Sequence, residues 1–353
     1  MLRICTALLF ALLFCTCGLA PNPKNVGTES NGSVTVGQYF AGIELTTDGA
    51  QGVVIGLGQD EGGKLAYEVI EHLEARGAAD FLLSDSLTPA AQSALLAKLD
   101  TLLMKVADVG VDIAGTYVVT SNEFERGRAG VRLRSAVELR HPQLTVEANT
   151  AELEARANFL TMVGRTDIPL ERTILVDIGA NNTIFSLFDT AAMAATRTVQ
   201  IDYGSRNILL KVDPIYQLNA RRESQRARLH SLVSDSVNLP VHRILSQAEF
   251  QSRDRFVLMG GLVYKIIKTL GVPLTGRPID FSEASEAELP ARFRALLLNG
   301  EADLASSPSY TTSELYAALV LLETITRETR GREATYFFER RTWLPGHIIA
   351  KQL

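Results

Sequence analysis

Two segments of this chain follow one plan, and that repetition limits the possible folds more than any other feature. GIELTTDGAQGVVI (residues 42–55) and ILVDIGANNTIFSL (residues 174–187) each run apolar strand, acid, small polar bend, apolar strand. The acids, Glu44 and Asp177, fall where an apolar run meets a turn small enough for backbone to approach a ligand. Helix-like and strand-like segments follow each copy. Two copies imply an α/β protein of two related lobes, each of mixed β-sheet and helices, around a central cleft. The plain alternative is that a common hairpin has recurred by chance.

At 353 residues, with 46% apolar and 21% charged, the chain is long and apolar enough for two ordinary globular cores. Residues 34–145 are expected to form lobe I and residues 146–325 lobe II, with 326–353 returning to lobe I or the lobe interface. SVTVGQYFAGIEL and QGVVIGL read as a hairpin about TTDGA. KLAYEVIEHLEA stays open between helix and strand. LTPAAQSALLAKLDTLLMKVADVG has helical spacing, with Thr88 as N-cap, Pro89 in first position and Gly110 at the end. VDIAGTYVVTS reads as a buried strand, and NTAELEARANFLTMVG as a helix capped by Asn149 or Thr150.

Residues 1–20, MLRICTALLFALLFCTCGLA, have the form of an export signal, and residues 21–33 that of a flexible tether. All three cysteines lie in that leader, so the rest of the chain holds no disulfide and no thiolate site. Cys17, followed by Gly18, offers a lipid anchor as the alternative to soluble export. Periplasm or cell envelope is the expected location, with membrane contact only through that anchor. A formal charge of −5 gives no broad attraction to nucleic acid. The five histidines show no metal-ligand spacing. A homodimer stays open.

From about Tyr39 to Ala350, the order of the hairpin, LTPAAQSALLAKLD, AGTYVVTS, AELEARANF, LVDIGANNT, IDYGSRN, VLMGG and ATYFFERRTWLPGHIIA resembles the exopolyphosphatase and guanosine pentaphosphate phosphohydrolase (Ppx/GppA) family. That family belongs to the actin-like, ribonuclease H-like duplicated superfold, and this chain is similar to its short, two-lobed form. The resemblance implies a phosphate chain held by turn amides and basic side chains. It also implies Mg²⁺ held by acids, and a helical Glu that activates water. Phosphoryl transfer needs this kind of positioning and charge neutralisation more than covalent help.

Residue by residue, the resemblance puts Glu154 of Glu152-Leu153-Glu154-Ala155-Arg156 at the catalytic base, and Asp177 with Glu44 at the metal. The phosphate loops fall on Thr46, Thr47, Asp48 and Gly49, on Gly179, Ala180, Asn181, Asn182 and Thr183, and on Gly204, Gly260 and Gly261. Departures are as informative. Ile184 stands where the family has a metal-linked Glu, and Thr120 where it has a phosphate-gripping Arg; Asp48 adds negative charge to a phosphate turn. Arg126 or Arg128 in NEFERGRAGVRLR could replace that Arg, though a solvated basic loop is the simpler reading. Arg221, Arg222, Arg226 and Arg228 likewise read as a solvated helix before a polyphosphate-guiding strip.

The expectation is therefore an exported Ppx/GppA-like protein, impaired in metal-dependent hydrolysis, that binds polyphosphate or another phosphorylated anion, or a partner. Two alternatives stand beside it: an active phosphohydrolase using Glu154 and Mg²⁺, and an assembly module whose cleft is packed shut.

Overall fold

The computed structural model describes residues 34–47, 49–76, 87–125, 128–162, 168–204, 206–215, 217–261, 263–264, 279–280, 312–328, 334–337 and 342–353. The leader with Cys17, the tether, Asp48 and Arg126 lie outside the described residues. The chain divides into two units, Met1–Ala148 and Asn149–Leu353.

In the first unit, β1 (Thr35–Thr46) and β2 (Gly49–Gln59) form the expected hairpin, and the ambiguous segment is a third strand, β3 (Leu65–Arg76). α1 (Pro89–Asp108) begins where the sequence indicates. The Thr88 hydroxyl accepts the Ala91 amide at 3.2 Å, and Pro89 is the first helical residue. Gly110, at φ +88°, turns the chain away after the helix. Leu95, Leu99, Leu102 and Val106 supply its buried stripe.

β4 (Thr116–Thr120), α2 (Ala129–Arg140) and β5 (Thr145–Ala148) complete the unit. The sheet order is β3-β2-β1-β4-β5, antiparallel across the first three strands and parallel from β1 through β4 to β5. From Ala129 onward the expected basic loop is a helix instead. Its buried residues, Ala129, Gly130, Leu133 and Val137, include only two large apolar side chains and are easily hidden among arginines. Asp100 of α1 fastens the end of α2 by accepting from Arg140 and, at 2.8 Å, meeting His141. The Arg140 hydrogen bond above all holds the Asp100 carboxyl below its usual range.

The second unit opens with α3 (Ala151–Met162), where Thr150 is the cap: its hydroxyl accepts the Leu153 amide at 3.2 Å. β6 (Thr173–Ile178), β7 (Thr183–Asp189) and β8 (Ala194–Ile201) run antiparallel, followed by α4 (Asn207–Val212), α5 (Glu223–Leu245) and α6 (Ala248–Gln251). Of the arginines near the start of α5, Arg221, Arg222 and Arg228 are exposed and Arg226 is half-buried, as on a solvated helix. β9 (Arg255–Met259) lies parallel to β6. β10 (Ile279–Asp280), α7 (Thr312–Glu328), β11 (Ala334–Phe337) and α8 (Leu344–Gln352) follow. The order β8-β7-β6-β9-β11, with β10 added beyond β11, repeats the order and strand directions of the first sheet. The fold is thus α/β with two mixed sheets, and the second sheet is built as a copy of the first.

Alternation along the central strands sorts residues to two faces. Ile174, Val176 and Ile178 of β6, with Phe185 and Leu187 of β7, pack into the core that α5 and α7 share. The intervening residues face the other way, where Phe188 of β7 stacks on Phe159 of α3 at 4.7 Å. The described elements of the closing segment belong to this second unit rather than to the first: β11 pairs with β9, and α8 packs on α3. The strand is needed as the fifth member of the repeated order.

Gly346 lets α8 approach so closely. Its amide donates to Thr161 Oγ1 at 3.1 Å, and a Cβ there would lie 1.8 Å from the Ala157 carbonyl oxygen. Gly346→Ala should therefore push α8 off α3 and lower stability by about 1–3 kcal/mol. Urea unfolding checks this, and an unchanged midpoint would contradict the packing described.

Candidate functional site

The second unit gathers most of the residues singled out in the sequence. Asp177 is the last residue but one of β6, opposite Ile184 on β7 and Met259 on β9. Its neighbours Val176 and Ile178 point into the α5–α7 core, so its side chain faces α3. There Asn158 Nδ2 donates to Asp177 Oδ2 at 2.8 Å. One helical turn earlier Glu154 accepts from Asn149 Nδ2 at 3.0 Å. All four side chains are buried. Because a carboxylate only accepts, each amide must turn its NH₂ toward the acid. That leaves Asn149 Oδ1 and Asn158 Oδ1 buried without a hydrogen bond among the described residues.

The turn after Asp177 is held from three sides. Gly179 N donates to Asn182 O at 3.0 Å across its mouth. The Ala180 carbonyl accepts the amides of Arg206 and Asn207 at 2.7 and 3.1 Å, and Asn207 Nδ2 reaches Asn181 O at 3.0 Å. Thr183 Oγ1 donates to Tyr203 O at 2.7 Å. Gly204 lies against this turn, where a Cβ would come within 2.5 Å of the Asn181 and Asn182 nitrogens. Gly260, at φ +109°, presses on the acid itself: a Cβ would lie 2.5 Å from Asp177 Oδ1. Gly261 is exposed, and among the described residues no atom lies within 4 Å of where a Cβ would stand. Asn182 is buried, and its Nδ2 has no hydrogen bond among the described residues.

The first unit holds the matching hairpin. Glu44 lies opposite Gln51 and beside Val119, as Asp177 does opposite Ile184 and beside Met259. It is buried and accepts from Gln51 Nε2 at 2.7 Å. Thr46 Oγ1 bonds Gly49 O at 3.3 Å, so the turn is closed by its own side chain. The Thr47 amide, which the resemblance assigns to phosphate, donates instead to Glu123 Oε2 at 3.2 Å, and the Thr47 hydroxyl donates to the same oxygen.

Thr120, at the position of the missing Arg, is also engaged from within. It lies 3.1 Å from Glu125 Oε1 and accepts from Arg134 Nη1 at 3.0 Å, while Arg134 and Glu125 form an ion pair. Glu123 and Glu125 both come from the short 3₁₀ turn Asn122–Glu125 that follows β4. One turn therefore brings an acid to Thr47 and another to Thr120. Arg128 is exposed at the start of α2, and Arg134 of the same helix is the one that bonds Thr120.

Glu123, Glu125, Arg134 and Asn158 were not among the residues expected from sequence. Two acids directly after a strand, and an Asn four residues beyond the presumed base, were the available signals. A divalent ion does not fit this set well. It prefers several oxygen ligands, with carboxylates foremost. Asp177 faces an amide N–H on one oxygen, its cross-strand neighbour is Ile184, and no cluster of three His, Cys, Asp or Glu suited to a metal occurs among the described residues.

No family model matches the sequence, and no curated protein matches it. Solved structures do match its fold. A Ppx/GppA family member from Aquifex aeolicus superposes with a TM-score of 0.67 at 12% identity, covering 89% of this chain and 97% of its own. An exopolyphosphatase from Cytophaga hutchinsonii gives 0.63 at 13% identity, covering 88% of this chain and 96% of its own. An exopolyphosphatase-like protein also gives 0.63 at 13% identity, covering 90% of this chain and 100% of its own. Along nearly its whole length, this chain has the fold of the Ppx/GppA proteins.

Proposed function

We propose that this protein binds a phosphorylated anion and is impaired in metal-dependent hydrolysis of phosphoanhydrides. The observation that carries the reading is Glu123 seated on the Thr47 amide and hydroxyl: a carboxylate of the chain itself takes donors that a phosphate would need. Buried Ile184 in place of a metal-linked acid, and Thr120 held between Glu125 and Arg134, point the same way. Anion binding is supported by the turn of the second unit, where Asn182 Nδ2 is a buried donor with no hydrogen bond among the described residues. The leader-like residues 1–20 support action in the cell envelope, where guanosine pentaphosphate, a cytoplasmic metabolite, is a poor candidate ligand.

One observation favours an active phosphohydrolase: Glu154 is buried, on the helix face that also carries Asn158, rather than exposed as a surface glutamate. The two readings separate in one assay. Phosphate release from long-chain polyphosphate with Mg²⁺ or Mn²⁺ is expected from neither the wild-type protein nor Glu154→Gln. Release by the wild type that vanishes in the variant would sink the proposal.

Binding is checked by titrating polyphosphate at rising salt. Affinity should fall with ionic strength and be indifferent to Glu154→Gln. Glu123→Ala, by freeing the Thr47 donors and removing a like charge, should tighten binding by about tenfold, equivalent to about 1.4 kcal/mol. Unchanged affinity in that variant would mean that Glu123 does not compete with the anion.

A further inference from the structure

The three acids that the resemblance assigns to catalysis and metal share one arrangement. Glu44 accepts from Gln51 Nε2 at 2.7 Å, Glu154 from Asn149 Nδ2 at 3.0 Å and Asp177 from Asn158 Nδ2 at 2.8 Å. Three times, on different elements and in both units, a carboxamide NH₂ meets the carboxylate. Two of the three donors, Asn149 and Asn158, are themselves buried, and Gln51 is half-buried.

We propose that these carboxamides take the charge-compensating place of a divalent cation, so that the acids are held without metal, with Asn158 as the central positioning residue. This deepens the reading of an impaired hydrolase and rests on it. An amide hydrogen directed at a carboxylate oxygen forms a charge-assisted bond and repels a cation from that side. Mg²⁺ asks for near-octahedral oxygen ligands and sheds its water reluctantly, so an N–H in the coordination sphere is a poor substitute for an oxygen. Ile184, opposite Asp177, is apolar where a second acid would help an ion. At Asp177 one carboxylate oxygen is thus met by an amide hydrogen and the facing strand brings no second acid.

The test reads thermal stability of the purified protein, without polyphosphate, in the absence and presence of millimolar Mg²⁺ or Mn²⁺. Wild-type Tm should not move. Asn158→Asp replaces the donor with a second buried acid, which should lower Tm by several degrees without metal and recover most of that loss with Mn²⁺. A wild-type shift as large as the variant's would overturn the proposal, because it would show an ion seated beside Asn158. A lowered Tm in Asn158→Asp with no response to either ion would overturn it as well.

Should Asn158→Asp fail to fold, Gln51→Glu, at the half-buried counterpart beside Glu44, carries the same comparison with the same two outcomes. Electron paramagnetic resonance of Mn²⁺ mixed with wild-type protein decides without a variant: the free-ion signal should persist, and its stoichiometric loss would overturn the inference. None of these readouts contains a phosphorylated ligand. Failed anion binding would therefore sink the proposed function and leave this result standing, whereas metal binding would sink this inference alone.

Discussion

A carboxylate buried at the end of a central strand must have its charge answered, and that requirement organises both units. Asp177 and Glu44 lie near the end of the first strand of their sheets, and the residues on either side of each, of opposite parity, are sunk in the helical core. Neither side chain can swing to water, since both are buried. An unanswered charge in such a place costs several kcal/mol or more. In the second unit α3 supplies the answer, and α3 is in turn held by α8 through the close approach at Gly346. The C-terminal helix therefore supports, through one intervening helix, the residue on which the candidate site is centred.

The two units solve the same problem differently. In the first, the answer to Glu44 comes from the adjacent strand, while a short turn after β4 sends acids to the hairpin amide and to Thr120. In the second, the answer to Asp177 comes from a helix, and the turn carbonyls are tied to the start of α4. Topology is shared down to strand order and direction, but the polar wiring is not. A duplicated sheet constrains where an acid can sit, since strand parity decides which face it reaches. It does not constrain which donor arrives to meet it.

Much of the fold could be read along the chain. Thr88, Pro89 and Gly110 marked α1 because capping chemistry is local, and the hairpins showed themselves by alternation around small turns. β3 stayed ambiguous because its polar and apolar residues do not settle on one period, and pairing with β2 decided it. α2 was missed because a buried face with only two large apolar side chains, Leu133 and Val137, carries little signal. The site was legible as a set of positions, Asp177 with its turn, Gly204 and Gly260, since each is marked by residue type. Their partners were not, because Asn158 meets Asp177, and Glu123 the Thr47 donors, only through contacts distant in sequence.

The sequence by itself therefore determined the repeated hairpin, the places of the two acids near the strand ends, and the residues that stand beside them, Ile184 and Thr120 among them. These are matters of residue identity and short-range spacing. Tertiary structure alone decided that Glu123 would sit on the Thr47 donors, that Arg134 would reach Thr120 while Arg128 stays exposed, and that Asn158 would meet Asp177. Hydrogen bonds act over about 3 Å and take no account of distance along the chain. Which donor answers a buried charge is settled only when separate elements pack against one another.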